Sequence, residues 1–256
     1  MHIDLNSDVG ESFGAYSIGA DAAVMASISS ANVACGFHAG DPGVMRRTVQ
    51  QARDAGVAIG AHPGFPDLVG FGRRELRASP REVEDMVVYQ LGALVALARA
   101  EGTRVTHVKA HGALYNMAAR DGALADAIAR AVASVDSTLL LFGLPGSQLL
   151  RAGRAAGLAV VAEGFADRAY QADGSLVSRA HPGAVIHDIE EVVRRSMRLV
   201  TEGSVTAIDG SELAMPVQTI CIHGDTPGAE VLARQLRAGL ERNGVAVRCV
   251  RREDCQ

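Results

Sequence analysis

The chain has no tryptophan, 4% aromatic residues and a single lysine, Lys109, among 25 basic residues. Few aromatic rings argue against a groove that stacks sugars or bases. A lone lysine preceded by valine leaves no GxxxxGK[ST] phosphate loop, so an ATP cradle of that class is absent. The zinc-peptidase string HExxH is also missing. No run of about 18 apolar residues is present, which excludes a helical membrane span by length. Four cysteines without CxxC spacing make neither a disulfide framework nor a zinc knuckle. Acidic residues exceed basic ones, giving a formal charge of −4, so no basic excess is available to neutralise a run of phosphates. The start Met1-His2-Ile3-Asp4 shows no basic-then-apolar leader. A reduced, cytoplasmic enzyme without nucleic-acid or membrane partners is the expectation.

What is present is an alternation of short aliphatic runs with segments of helical period. Strands are expected at 2–6, 31–35, 57–61, 104–109, 138–142, 158–162 and 219–223, with a last run at 246–250. Ser79-Pro80-Arg81-Glu82 is a capping box with proline at the first helical position, and Asp41-Pro42 and Thr226-Pro227 give similar start signals. Gly56, Gly102 and Gly157 sit just past helical stretches, where positive φ is needed. Repeated strand-then-helix units imply a parallel sheet with right-handed crossovers. Polar and histidine-bearing segments follow nearly every strand, which a closed barrel explains better than an open sheet, because a barrel brings all those strand ends to one face. The expectation is one α/β domain over 1–256, a (β/α) barrel of about seven strands, TIM-like but distorted. Long loops at about 63–79 and 163–183 are candidates for lids or partner surfaces.

Six segments carry polar chemistry. In Asp4-Leu5-Asn6-Ser7-Asp8-Val9-Gly10-Glu11, alternation puts Asp4, Asn6 and Asp8 on one strand face, where they need a ligand, a metal or each other. Asp8 and Glu11 could instead cap the following loop. His38 lies between Gly36 and Gly40, just before the Asp41 helix start, where free N–H groups can receive an anion unless Asp41 itself caps them. His62 repeats the design at the next strand end, followed by Arg73-Arg74, a paired guanidinium for a carboxylate or phosphate, or a solvated loop. In Thr106-His107-Val108-Lys109-Ala110-His111, alternation groups His107, Lys109 and His111. A lysine inside a barrel must be paired or have a lowered pKa, and its uniqueness points to a compact or titratable amine that guanidinium cannot supply. His107 reads as a core histidine. Glu163 to Tyr170 reads as a long loop in which Asp167 and Arg168 orient a substrate or form a weak salt bridge. His223-Gly224-Asp225 is another strand end leading into a helix, while His187 falls within an expected helix. Asp8, His38 and His62 are candidate ligands for a divalent metal of unassigned identity.

Together these segments resemble the LamB/YcsF family, whose characterised members form one component of the ATP-hydrolysing 5-oxoprolinase. The resemblance is carried by DLNSDVGESFG at 4–14, ANVACGFHAGDP at 31–42, GAHPGFPDLVGFGRR at 60–74 and VKAHGALYN at 108–116. It continues through FADRAY at 165–170, LVSR at 176–179 and ICIHGDTP at 220–227. Two positions depart: Ser7 stands where the family usually has cysteine, and Ala110 where it has proline. The first argues against a required nucleophilic thiol at position 7.

The resemblance implies a polysaccharide-deacetylase-like barrel. It also implies conversion of 5-oxo-L-proline to L-glutamate with ATP as co-substrate, in complex with two other subunits; a homo-oligomer is compatible with it. Under this reading Lys109 stabilises an oxyanion or phosphate and Asp8 or Glu11 is the base. His38, His62, His111 and His223 supply donors and proton transfer. Asn6, Asp41, Arg73, Arg74, Tyr115, Asn116, Asp167, Arg168 and Asp225 are candidate substrate contacts. Two rival expectations are a lyase or aldolase in which Lys109 forms a Schiff base, and a non-catalytic subunit that only binds 5-oxoproline.

Overall fold

The computed structural model describes residues 1–224 and 228–255. Its elements run β1 (His2–Val9), α1 (Asp21–Met25), β2 (Ser30–Ala34), α2 (Pro42–Asp54), β3 (Ala58–His62), α3 (Pro80–Ala100) and β4 (Val105–Lys109). Next come α4 (Gly112–Arg120), α5 (Gly122–Val135), β5 (Leu140–Gly143), α6 (Gln148–Ala155), β6 (Ala159–Phe165) and α7 (Ile189–Glu202). The chain ends with β7 (Ser204–Thr206), β8 (Glu212–Ala214), β9 (Thr219–Ile222), α8 (Ala229–Arg242) and β10 (Ala246–Val247).

Seven parallel strands, β1-β2-β3-β4-β5-β6-β9, form a barrel that closes where β9 pairs with β1. The expected TIM-like barrel of about seven strands is the observed fold. The last expected strand shrinks to β10, two residues that extend the lower edge of β1. The hairpin β7–β8 lies outside the barrel and has no counterpart among the expected strands, since three residues carry too little alternation to read. No described helix is long and apolar enough to cross a membrane.

Local chemistry explains the helix starts. Ser79 and Glu82 form a reciprocal capping box on α3, with Pro80 at the first helical position. Asp41 accepts from the Gly43 and Val44 amides at the head of α2. The start signal Thr226-Pro227 lies outside the described residues. His187 precedes α7 rather than lying within it, because Asp188 takes the N-cap and fixes the helix start after it.

Strand alternation sorts the side chains. Ile3, Leu5 and Val9 pack outward into the shared hydrophobic core under the helices. Asp4, Asn6 and Asp8 point the other way and are buried inside the barrel. The barrel interior is therefore polar over much of its length, with Asn32, His107, Lys109, Glu163 and Thr219 also buried. Burying these groups is tolerable only if they satisfy one another. β6 is longer than expected and carries Glu163 in a strand, where the local sequence reads as loop. Its pairing with β9 from Glu163 to Phe165 imposes that extension.

Candidate active site

Polar groups stack from the barrel floor upward. At the bottom Asp4 accepts from Ser29 at 2.6 Å, Ser30 at 2.8 Å and Thr219 at 2.6 Å. Burial outweighs these bonds and raises its pKa to about 6. Above it, Asn6 donates to Glu163 Oε1 at 2.9 Å and Thr219 Oγ1 at 2.8 Å. Asn32 donates to Asn6 Oδ1 and Asp8 Oδ1, and His107 Nε2 donates to Asn32 Oδ1 at 2.9 Å. His107, stacked on Phe142, is the core histidine that its strand position implied; burial lowers its pKa to about 3. Its ring lies across β3 where only a glycine fits: a Cβ on Gly60 would sit 2.1 Å from His107 Nε2.

Lys109 crowns this network and is 2% exposed. Its Nζ lies 2.9 Å from Asp8 Oδ1, 3.0 Å from Glu163 Oε1, 3.2 Å from Asn6 Oδ1 and 2.9 Å from Cys221 Sγ. Burial alone would strip its proton, but Asp8, Cys221 and Glu163 outweigh it and hold the ammonium well above its usual range. Reciprocally, burial would raise Asp8, yet His62 and Lys109 hold its carboxylate well below the ordinary range. A compact ammonium clamped between two carboxylates is an electrostatic centre rather than a nucleophile, which speaks against the Schiff-base expectation.

A cavity of about 340 Å³ opens above Lys109. Asp8, His62, Lys109, His111, Tyr115 and His223 line it, together with Arg73, Asn116, Arg168 and Arg179. That is enough room for a small amino-acid-like molecule. His223 Nδ1 is 2.9 Å from Asp167 Oδ1 and the ring stacks on Phe165 at 5.5 Å. Burial would raise Asp167, but His223 keeps its carboxylate below the usual value. The pair is a carboxylate-oriented imidazole, suited to proton transfer. The buried Tyr115 hydroxyl faces Glu163, and burial together with that carboxylate pushes its phenol well above its usual range.

The loop after β3 closes over a cluster of histidines. Phe71 takes φ 54°, a left-handed conformation rare for a non-glycine residue, and its carbonyl accepts from His111 Nε2 at 2.8 Å. Gly72 follows at φ 62°, where a Cβ would meet His38 Cβ at 2.7 Å and His111 Cδ2 at 2.8 Å. Arg73 packs over the Phe71 ring at 4.8 Å and reaches the cavity. His38 and Glu11 lie behind His62 and His111, buried and outside the cavity lining.

Several expected contacts are held by other partners. Asp41 is a helix cap that also accepts from Gly14 N at 2.9 Å, and those backbone bonds lower its pKa. Arg74 turns away to Asp67, its Nε 2.9 Å from Oδ2. Asn6 supports Lys109 from below the cavity. Arg168 bonds the Ala184 and Val177 carbonyls, and Asp167 pairs with His223, so the anticipated loop salt bridge gives way to two separate anchors. Asp225 lies outside the described residues. Ser7 donates to the Ile222 carbonyl at 2.7 Å, tying β1 to β9. The sequence does not mark Glu163, Cys221 and Asn32 as site residues, because within their segments nearby histidines and acids carry the more evident chemistry. It also passes over GESFG at 10–14, which spells the GxSxG of serine hydrolases; Ser12 accepts from the Ile18 amide at 3.0 Å and bonds within its own loop.

Comparison with known proteins places the chain among its relatives. A 5-oxoprolinase component from Symbiobacterium thermophilum is 58% identical over 245 residues, covering 96% of this chain and 94% of the relative. The crystal structure of a lactam utilization protein from Thermus thermophilus superposes with a TM-score of 0.93 at 52% identity, covering 98% of this chain and 100% of the other. A family 4 carbohydrate esterase from Streptomyces lividans shares the fold alone, with a TM-score of 0.50 at 11% identity over 99% of this chain and 95% of the esterase. Residues 3–254 match the description LamB/YcsF family, and the chain belongs to that family.

Proposed function

We propose that this chain is one component of an ATP-dependent 5-oxoprolinase that opens the lactam of 5-oxo-L-proline to give L-glutamate, working with two other subunits. The observation that carries the reading is the buried Lys109 ammonium beneath a small cavity, with the His223–Asp167 pair beside it. The names of the Symbiobacterium and Thermus relatives supply the substrate class.

A five-membered lactam is a resonance-stabilised amide and a poor electrophile. Transfer of the ATP γ-phosphoryl to its carbonyl oxygen makes that carbon reactive toward water. With ADP released, one water adds to that carbon and the ring C–N bond breaks to give the free amine and a γ-glutamyl phosphate, and a second water releases phosphate to leave glutamate. The step needs a positive centre for the developing oxygen charge, a base for water and a donor for the ring nitrogen. Arg73 and Arg179 at the cavity wall supply that positive charge, and the Lys109 ammonium, balanced by Asp8 and Glu163, lies beneath them. His223, oriented by Asp167, removes the proton from water and returns one to the leaving nitrogen. Asp8 holds Lys109 and His62 in place, and Glu11, outside the cavity lining, is the less suitable base.

The experiment is glutamate release from 5-oxo-L-proline and ATP, measured with this chain alone and with its two partner subunits. The reading expects turnover only from the full set with ATP. Turnover by this chain alone without ATP overturns it.

A further inference from the structure

The histidines lining the cavity and behind it hold a feature that the lactam reaction does not account for. His62 Nδ1 lies 2.8 Å from the Lys109 carbonyl, and His111 Nε2 lies 2.8 Å from the Phe71 carbonyl. A carbonyl can only accept, so each of those nitrogens carries a hydrogen. The other two nitrogens, His62 Nε2 and His111 Nδ1, then point lone pairs at each other across 2.9 Å. Two acceptors that close require a cation between them, either a proton or a metal ion.

His38 decides between the two. Its side chain is fully buried, and neither ring nitrogen has a hydrogen-bond partner among the described residues. Its Nε2 is 3.8 Å from Glu11 Oε1, which is itself 3.9 Å from His111 Nδ1. A proton shared by His62 and His111 leaves His38 unsatisfied, whereas a metal ion engages all four residues. We propose that Glu11, His38, His62 and His111 bind one divalent transition-metal ion of the Zn²⁺ class.

Geometry and chemistry both fit. One ligand atom from each residue lies within 4.8 Å of the others. The separations of 2.9, 3.8 and 3.9 Å bracket the edge of about 3.3 Å expected for a tetrahedron with bonds of about 2.0–2.1 Å. Three imidazoles and one carboxylate select a borderline ion over Mg²⁺ or Ca²⁺, which prefer oxygen. The N–H bonds from His62 and His111 to backbone carbonyls are the outer contacts that fix ligand tautomers. His38 stacks on His111 with ring planes 2° apart, so ligation requires His38 to turn about its soft terminal torsion. The alternative grouping of Asp8, Cys221 and His223 is a poorer ion site, because Lys109 already sits within 2.9 Å of Asp8 and Cys221. Compared with the expected trio Asp8, His38 and His62, this set keeps both histidines and adds Glu11 and His111, while Asp8 Oδ2 lies 3.4 Å from His62 Nε2.

The test is calorimetric titration of the EDTA-treated, full-length chain with ZnCl₂, with Co²⁺ absorption as a second probe. One equivalent of Zn²⁺ and a low-coordination Co²⁺ spectrum are expected. Affinity is expected to fall by about 100-fold or more in His38→Ala and His62→Ala, and to stay unchanged in Cys255→Ser. If the alanine variants fail to fold, Glu11→Gln keeps the side-chain volume and is expected to show a clear loss of affinity. Absence of stoichiometric binding to the folded wild-type chain, or undiminished binding in folded ligand variants, overturns the proposal. The titration involves no lactam, so its failure leaves the proposed function standing.

Discussion

Lys109 Nζ and Asp8 Oδ1 are 2.9 Å apart at the mouth of the barrel, and both side chains are buried. β1 and β4 bring them together across two intervening strands, so the pair closes the top of the polar interior.

Removing the ammonium leaves Asp8 and Glu163 as buried carboxylates without their cation. Lys109→Met is expected to destabilise the fold by about 3–5 kcal/mol, a drop in melting temperature on the order of 10 °C. Lys109→Arg is expected to be destabilised too, because a planar guanidinium is larger than the space between Asp8, Glu163 and Cys221. Thermal melting of both variants checks this; an arginine variant as stable as wild type contradicts it.

Gly60→Ala drives a methyl group into the His107 ring and breaks its bond to Asn32, at a cost of about 1–3 kcal/mol. His107→Ala removes the obstruction but leaves Asn32 without its donor. The double variant is expected to be more stable than the sum of the two single losses, since the clash exists only when the His107 ring and the added methyl are both present. Urea denaturation of the four proteins measures the coupling.

Asp4 has a folded pKa of about 6 against an ordinary value of 3.8. The folded state therefore binds more protons between those values. The stability linked to this proton is fully present below about pH 3.8 and is lost as pH rises through about 6. Asp4→Asn keeps the neutral shape at every pH. The stability of Asp4→Asn relative to wild type is thus expected to grow by about 2 kcal/mol between pH 4 and pH 7. Urea midpoints at the two pH values test the sign, and a constant difference contradicts it.

Asp167→Asn removes the carboxylate that orients His223. In the reconstituted complex the expected result is a fall in turnover of about 100-fold or more, with a smaller change in KM. Glutamate release at saturating 5-oxo-L-proline is the readout.

Much of this was legible in the sequence because barrels convert alternation into geometry. Asp4, Asn6 and Asp8 can be placed on one face from spacing alone, and the uniqueness of Lys109 marks it before any contact is known. The residues that escape notice lack such a signal. Glu163 follows a run that reads as complete at residue 162, and only pairing with β9 extends the strand to include it. Arg74 and Asp41 mislead for the opposite reason: each has the chemistry of a ligand contact, but Asp67 and the amides of α2 are closer partners. The convergence of Glu11 with three histidines depends on how the loop carrying Phe71 folds back, which no local pattern encodes.

The central claim, that the cavity over Lys109 carries out chemistry rather than merely holding substrate, is tested most directly by Asp8→Asn in the reconstituted complex. This variant leaves Lys109 paired with Glu163 while removing the carboxylate that lies between Lys109 and His62. The predicted result is a fall in kcat of about 100-fold or more at saturating 5-oxo-L-proline and ATP. A kcat close to wild type, with only KM raised, would contradict the account and leave this chain as a binding component.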